Sequence, residues 1–277
     1  MLTDSHCHPF DTDGIFPETE QERRRLGVLA AASACLMEEF AHNELLAHNA
    51  ALEQAAPILQ CFGVHPQIFK VMFADNREQA TKNKKKPVID NLLENLELLA
   101  SQKRITAIGE CGFDLYNCEF RESEADQERV FAFQLEIAVK YDLPVALHVR
   151  RAMHKIFPLT EKLLKCKAVI FHSWSGTYEE GAALLRKGVN AYFSFGNTIM
   201  LNHKQAMRSC ALLPAERLLT ETDAPYQPRL GQPFSQWSDI PLILEAAAAL
   251  RCEAGNTITA KELETQTETN FRMAFNV

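Results

Sequence analysis

Two histidines near the start of the chain have the spacing of metal ligands on a β-strand. His6 and His8 flank Cys7 at the end of the first apolar run. In a strand, residues i and i+2 point to the same face, so both imidazoles can reach one ion while Cys7 points away. Four further residues with nitrogen or oxygen ligands each end another short apolar run, namely Glu110, His148, His172 and Asp223. Because six such residues exceed what one ion needs, the pattern predicts a two-metal hydrolytic site.

The ligand types fit divalent ions that hydrolyse esters. Glu110, midway along the chain, is expected to bridge the two ions. The other ligands divide between the ions: His6, His8 and Asp223 for one, and His148 and His172 for the other. Imidazoles and carboxylates bind Zn²⁺, Mn²⁺, Ni²⁺ and, less readily with four histidines, Mg²⁺, so the identity of the two ions stays open.

Two residues are expected to act on the substrate or on water. Asp223 can accept the proton of the attacking water, because a carboxylate beside cations remains ionised at neutral pH. Arg150 follows His148 by two residues and therefore shares its strand face, where it can bind a phosphate through two parallel hydrogen bonds. A structural arginine paired with a carboxylate such as Glu221 is the alternative.

Each of these signals has a purely structural alternative. Two histidines on one strand often only pack, and Glu110 and Asp223 both stand in segments typical of turns. Their joint occurrence at five strand ends favours the metal site. The remaining histidines outside the motifs are expected at surface positions of helices, and they are His42, His48, His154 and His203.

Strand-like and helix-like segments alternate along the 277 residues. The predicted strands cover residues 2–6, 28–37, 58–64, 105–109, 144–148, 168–172, 191–195 and 218–222. The predicted helices cover residues 18–26, 39–56, 88–102, 124–141, 152–164, 178–187, 203–212 and 240–251. Eight such units predict an α/β fold, a (β/α)₈ TIM barrel whose site lies at the carboxyl ends of the strands. An open doubly wound sheet is the alternative, but no Gly-rich phosphate motif follows the first strand. No internal linker is evident, so residues 1–277 are predicted to form a single domain.

Composition limits the partners. A net charge of −7 argues against a protein that coats nucleic acid, although DNA ends or short oligonucleotides can still bind at a metal centre. The basic clusters at residues 23–25 and 82–86 are expected to be solvated surface, and the polar stretch 75–87 an exposed loop. The eight cysteines are scattered and form no disulfide framework, and Cys7, Cys61 and Cys111, which lie inside or beside apolar runs, are expected to be small buried hydrophobic residues. Because the ligands begin at residue 6 and no run of about 20 apolar residues exists, we expect a cytoplasmic protein without a membrane segment. No obligate protein partner is evident.

Six short motifs, taken in order, resemble those of the TatD-type metal-dependent deoxyribonucleases. They are His6-Cys7-His8, Gly63-Val64-His65-Pro66, Gly109-Glu110-Cys111-Gly112-Phe113-Asp114, Leu147-His148-Val149-Arg150, Phe171-His172-Ser173-Trp174-Ser175-Gly176 and Glu221-Thr222-Asp223-Ala224-Pro225. The resemblance extends from residue 2 to about residue 275 and includes Asn270-Phe271. It implies an amidohydrolase-like barrel, two divalent ions and hydrolysis of phosphodiester bonds, often from a 3′ end. It also implies that His65 lines the substrate pocket and does not bind metal.

The sequence departs from the family pattern near the sixth strand, where His-Cys-Phe-Ser-Gly is usual and Trp174 stands here. By strand alternation Trp174 is expected to face the site and to narrow the pocket or stack a base. The metal ligands are intact, so the departures bear on substrate preference. An amidohydrolase acting on a small amide, lactone or phosphoester, and a metal-binding scaffold without catalysis, remain as alternatives. Glu110 stands where many amidohydrolases have a carboxylated lysine, which favours the nuclease.

Overall fold

A computed structural model describes residues 1–71 and 82–277 of the chain. Across these residues eight parallel strands form one sheet in which each strand pairs with the next along the chain. The strands are β1 (Thr3–Cys7), β2 (Leu29–Ala34), β3 (Ile58–Phe62), β4 (Ala107–Asp114), β5 (Val145–Arg150), β6 (Val169–Phe171), β7 (Ala191–Phe195) and β8 (Leu218–Thr220).

Helices follow the strands and cover the outside of the sheet. They are α1 (Pro9–Ile15), α2 (Thr19–Leu26), α3 (Met37–Leu52), α4 (Ile68–Val71), α5 (Lys82–Ser101), α6 (Cys118–Arg121), α7 (Glu124–Lys140), α8 (Met153–Ile156), α9 (Thr160–Leu163), α10 (Tyr178–Arg186), α11 (Lys204–Leu212), α12 (Asp239–Glu253) and α13 (Ala260–Phe275). Short 3₁₀ turns cover Phe157–Leu159, Asn197–Met200 and Ala215–Arg217. No helix of the described residues is long and apolar enough to cross a bilayer.

The first and last strands meet through a seam of hydrogen bonds. The Thr220 hydroxyl donates to the carbonyl of Thr3 at 2.7 Å. Beyond β8 the amide of Asp223 donates to the carbonyl of His6 at 2.9 Å, and the amide of His8 donates to the carbonyl of Ala224 at 2.8 Å. These bonds close the sheet, and the predicted (β/α)₈ barrel is confirmed.

Apolar side chains fill the lumen, and the last helix closes its lower end. Leu29, Ile170 and Leu219 of the strands are buried in one cluster with Phe271 and Phe275 of α13. The side-chain amide of Asn270 donates to the carbonyl of Leu218 at 2.7 Å and so ties α13 to β8. Side chains therefore fill the end of the barrel next to α13, and the open end lies at the carboxyl ends of the strands.

A β-bulge in β4 directs the central carboxylate. The strand advances from Ile108 to Cys111 while β5 advances only from Val145 to Leu147, so β4 carries one extra residue beside Glu110. Bulges re-aim side chains and are frequent next to active sites. The predicted strand 105–109 ended just before Glu110. In the structure Glu110 lies inside the longer strand β4.

The glycines around that bulge are required by close packing. Gly112 has φ +131°, and a Cβ there would stand 2.3 Å from the carbonyl oxygen of His148. At Gly109 a Cβ would stand 2.7 Å from the Cβ of Ala146. Any larger residue would push β5, and with it His148, away from Glu110.

Several other predictions need correction. The helix predicted at 152–164 is divided into α8, a 3₁₀ turn and α9, and α13 was not predicted. α5 begins at Lys82, so residues 82–87 of the polar stretch are helical, whereas residues 75–81 lie outside the described residues. Arg23 is fully buried, not solvated, because its guanidinium donates to the carbonyls of Val28 and Ala56, both at 2.7 Å. Cys7, Cys61 and Cys111 are buried and unpaired, as predicted.

Candidate metal centre

Glu110 stands at the centre of a group of imidazoles above the barrel. One carboxylate oxygen, Oε1, lies 2.6 Å from Nδ1 of His148, 2.7 Å from Nε2 of His172 and 3.2 Å from Nε2 of His65. The side chain is almost wholly buried. A single carboxylate oxygen therefore contacts one side chain of β5 and two side chains that follow the ends of β3 and β6.

The other oxygen of Glu110 faces the seam of the barrel. Its Oε2 lies 3.2 Å from Nε2 of His6 and 3.8 Å from Nε2 of His8. Oδ1 of Asp223 lies 3.4 Å from Nε2 of His8 and 3.7 Å from Nε2 of His6. The six predicted ligand residues are thus brought together, with Glu110 between two groups of them.

Electrostatics keep both carboxylates ionised. Burial favours the neutral form of Glu110, but the imidazoles of His172, His65 and His6 outweigh it and hold the pKa of that carboxyl well below its usual range. At Asp223, burial is likewise outweighed by a hydrogen bond with His8 and by neighbouring imidazoles, and the pKa is lowered. Two buried anions among nitrogen donors form an environment that stabilises divalent cations.

The donor set fits such ions. Ligand atoms of His6, His8 and Glu110 lie within 4.8 Å of one another, and those of His6, His172 and Asp223 do so as well. Nitrogen and carboxylate oxygen in this mixture suit Zn²⁺, Mn²⁺ or Ni²⁺. A further group of this kind contains Glu110, His148 and His65, the residue expected to line the substrate pocket.

Hydrogen bonds to the imidazoles separate His65 from the ligands. Nδ1 of His65 accepts a hydrogen bond from the amide of Gln67 at 3.1 Å, so the proton of the neutral ring is on Nε2, the nitrogen that faces Glu110. A metal ligand needs a lone pair at that position. At His148, Nε2 faces Oδ2 of Asp114 at 3.1 Å, so its proton is held there and Nδ1 is free to bind metal. This contrast favours the predicted pocket position of His65.

Asp114 and Gln227 position the ligands, and sequence reasoning gave neither a role. Burial favours the neutral form of Asp114, but hydrogen bonds from His148 and Gln67 outweigh it and lower the pKa to about 2. Gln227 donates from Nε2 to Oδ2 of Asp223 and also contacts the hydroxyl of Ser173. Asp114 is the last residue of the motif that contains Glu110, so its position in that motif could have indicated a role. Gln227 follows the last motif by two residues and had no recognisable pattern.

The centre opens into a cavity of about 660 Å³ at the carboxyl ends of the strands. Arg150 lines it, with 46% of the side chain exposed and Nη1 3.8 Å from Oδ2 of Asp114. Glu221, the partner considered for Arg150, instead accepts a hydrogen bond from the amide of Ser173 at 2.7 Å. Arg150 is therefore placed to meet an anion in the cavity.

Trp174 lines the cavity, but the face of its indole ring is not exposed there. The side chain is only 3% exposed, and its ring packs edge-on against Phe171 and Phe193. The alternation of side chains along a strand cannot predict the direction of Trp174, because β6 ends at Phe171 and Ser173 has φ +44°. We correct the expectation that Trp174 stacks a base. Trp174 forms part of the cavity wall.

Tyr226 is an exposed aromatic residue of the cavity lining that sequence reasoning missed. It lines the cavity, is 51% exposed and has its ring edge-on to His8 with centroids 5.3 Å apart. Its hydroxyl donates to Oδ2 of Asp11 at 3.1 Å, which fixes the ring. Of the four histidines expected on helix surfaces, His48 and His154 are exposed, His42 pairs with Asp13, and the exposed His203 lines the cavity.

Comparisons with known proteins agree with this arrangement. A family model described as TatD related DNase matches residues 3–276. The 3′-5′ ssDNA/RNA exonuclease TatD of Escherichia fergusonii is 35% identical over 188 residues, which are 65% of this chain and 69% of that protein. The protein of the same name from Escherichia coli K12 is 33% identical over 188 residues, again 65% and 69% of the two chains.

The fold has solved counterparts. The crystal structure of YJJV, a TatD homologue from Escherichia coli K12, superimposes with a TM-score of 0.79 at 26% identity and covers 100% of this chain and 98% of its own. An uncharacterized amidohydrolase from Saccharomyces cerevisiae gives 0.72 at 16% identity, covering 97% and 98%, and shares the fold. The predicted amidohydrolase-like barrel is confirmed, as is the predicted class of metal-dependent hydrolase acting on ester bonds. The chain belongs to the family of TatD-related DNases.

Proposed function

We propose that the chain removes nucleotides from the 3′ ends of single-stranded DNA, and of RNA, by metal-dependent hydrolysis. The observation that carries the proposal is the two-sided cluster around Glu110, which opens into a cavity lined by Arg150. The names of the curated relatives state the same substrates for those proteins. A cavity of about 660 Å³ suits one or two nucleotides of a strand end.

Two divalent ions would be held by His6, His8 and Asp223 on the seam side and by His148 and His172 on the other, with Glu110 between them. When bound, such ions stabilise negative charge on phosphoryl oxygens and lower the pKa of an attacking water. The identity of the ions stays open among Zn²⁺, Mn²⁺, Ni²⁺ and Mg²⁺.

The chain's own residues supply proton transfer and orientation. Asp223 is ionised, and Gln227 positions it through a hydrogen bond to Oδ2, so the carboxylate can accept the proton of the attacking water. His65 presents an N–H at Nε2 that can donate to a phosphoryl oxygen. Arg150 can hold the phosphate through its guanidinium, and Tyr226 can stack the terminal base.

An activity screen tests the proposal. Metal-free protein is reconstituted with each candidate ion and incubated with single-stranded DNA labelled at the 3′ or the 5′ end, with short RNA, and with a panel of amides and lactones. We expect stepwise loss of the 3′ label and a ladder of shortened 5′-labelled products. Hydrolysis of amides or lactones without DNA cleavage would replace the nuclease with the amidohydrolase alternative. We further propose that the enzyme acts in the cytoplasm, which localisation of the tagged chain can test.

A further inference from the structure

Two consecutive arginines contact one tyrosine ring at the edge of the cavity. Cζ of Arg150 lies 3.8 Å from the ring centroid of Tyr116, and Cζ of Arg151 lies 4.4 Å from the same centroid. Nη1 of Arg151 also donates to the carbonyl of Tyr116 at 3.1 Å. Tyr116 itself is exposed.

Strand geometry alone would separate these arginines. Successive residues of a strand point to opposite faces, so a side chain after Arg150 would normally leave the site. Arg151 follows the end of β5 and has φ +54°, a left-handed conformation that is uncommon for residues other than glycine. This turn returns the second guanidinium to the ring that the first one contacts.

The positive charge at this edge is poorly compensated. Arg150 lies 3.8 Å from Oδ2 of Asp114, and this oxygen is already engaged by Gln67 at 2.7 Å and by His148 at 3.1 Å. Within residues 1–71 and 82–277, no carboxylate lies within 4.0 Å of a side-chain nitrogen of Arg151. Two like charges beside one ring, with so little neutralisation, suit a ligand that brings more than one negative charge.

The opposite edge of the cavity has the reverse charge. Asp11 and Glu39 line it on the side of β1 and β2. Among the described residues Glu39 accepts hydrogen bonds from the amides of Cys35 and Leu36 and forms no ion pair, so no cation there cancels its charge. A phosphate backbone that leaves the centre is therefore repelled on one side and attracted on the side of Tyr116.

We propose that Arg151 and Tyr116 form a second phosphate subsite, which binds the phosphodiester next to the one that is cleaved. This inference rests on the proposed nuclease function and extends it. The contacts form a row that runs outward from the metal ligand His148 through Asp114, Arg150 and Tyr116 to Arg151. Arg150 serves the scissile phosphate, and Arg151 serves its neighbour on the 5′ side. The subsite gives preference to substrates of at least three nucleotides.

A trinucleotide cycle tests this assignment. The substrates are the thymidine trinucleotide TpTpT and the same molecule with an uncharged methylphosphonate in its 5′ linkage, and cleavage of the 3′ linkage is measured. In the wild type we expect the uncharged linkage to raise KM about five- to tenfold. In Arg151→Gln the two substrates are expected to have equal KM, and the dinucleotide TpT is expected to be cleaved as by the wild type.

Two further variants separate binding from structure. Arg151→Lys keeps the charge and is expected to retain part of the preference for the charged linkage. Arg208→Gln is the matched control, because Arg208 also lies over a tyrosine ring, with Cζ 5.6 Å from the centroid of Tyr178, and pairs with Glu179 away from the cavity. It should keep the full wild-type preference. The salt slope of log KM on single strands should fall by about 0.7 in Arg151→Gln only.

The outcomes are distinct. An equal penalty for the uncharged linkage in the wild type and in Arg151→Gln would overturn the subsite while leaving the nuclease intact. A lower melting temperature of Arg151→Gln together with an unchanged penalty would show that Arg151 only holds the Tyr116 carbonyl. Failure of the wild type to cleave TpTpT with every candidate ion would overturn the nuclease proposal and the subsite with it.

Discussion

Which nitrogen of each imidazole carries the proton decides which residue can bind metal. His148 and His65 both contact Oε1 of Glu110, at 2.6 and 3.2 Å, and this contact alone does not distinguish a metal ligand from a hydrogen-bond donor. Their second nitrogens face an acceptor, Asp114, in one case and a donor, the Gln67 amide, in the other. A neighbour outside the predicted ligand set therefore favours metal binding by His148 and hydrogen-bond donation by His65.

Removal of the Asp114 carboxylate should weaken metal binding without touching a ligand. In Asp114→Ala, Nε2 of His148 loses its acceptor, and we expect the affinity for Zn²⁺ to fall about 10- to 100-fold. Competition with a chromophoric chelator measures the affinity. Asp90→Ala is the control, since Asp90 is an exposed carboxylate on α5 that pairs with Arg129. Equal affinities of Asp114→Ala and the wild type would contradict the role assigned to Asp114.

The proton acceptor can be tested separately from metal and substrate binding. Asp223→Asn keeps an oxygen near the seam but cannot accept a proton, so kcat should fall about 10²- to 10⁴-fold while KM changes little. Metal content and steady-state kinetics are measured on the same preparation. A variant that keeps half of the wild-type kcat would show that another group takes the proton.

At the level of elements, the barrel was predictable because the alternation of apolar runs and helical patterns is strong. The clustering of the six candidate ligands was predictable for the same reason, since barrel strands present functional residues at one end. Local irregularities were not predictable from alternation. The bulge in β4 places Glu110 within the strand, and the left-handed conformation of Ser173 buries Trp174. The start of helix α13 could have been predicted from the capping box formed by Thr259 and Glu262.

Helix α13 should contribute strongly to stability through its two phenylalanines. Phe271 is fully buried against the lower end of the barrel. We expect Phe271→Ala to lower the free energy of unfolding by about 3–5 kcal/mol. Met273→Ala on the same helix is the control, because Met273 is 64% exposed and its loss should change stability by less than about 0.5 kcal/mol. Urea unfolding of both variants gives the comparison, and equal stabilities would mean that α13 does not plug the barrel.

At the level of the whole molecule, a net charge of −7 restricts where a polyanion can approach. The metal centre and the edge formed by Tyr116, Arg150 and Arg151 are expected to supply the attraction, so the enzyme should act on ends and not coat strands. Glu110 and Asp223 are buried anions of the centre, and the site that they form with the imidazoles exists only in the folded chain. Metal should therefore stabilise the entire fold.

Metal removal should lower the melting temperature. An ion at 100 times its dissociation constant stabilises the folded state by about 2.7 kcal/mol. For a chain of this size that corresponds to roughly 5 °C. We expect Zn²⁺ or Mn²⁺ to raise the melting temperature of EDTA-treated protein by about that amount, and Glu110→Ala to lose most of the effect and to bind fewer ions. An equal rise in Glu110→Ala would place the stabilising ion elsewhere.

The seam between β1 and β8 has a consequence for when the enzyme becomes active. Thr220 and Thr3, which bond across it, are 217 positions apart in the chain, and the ligands His6 and His8 lie across the same seam from Asp223. An ion bound by those residues would tie the two ends of the sheet as a cross-link does, and it would close a loop of more than three quarters of the chain. Until that loop is closed, no molecule holds a complete set of ligands. Copies in which β1 and β8 have not met are therefore expected not to cleave nucleic acids, because the contact that closes the barrel also assembles its reactive centre.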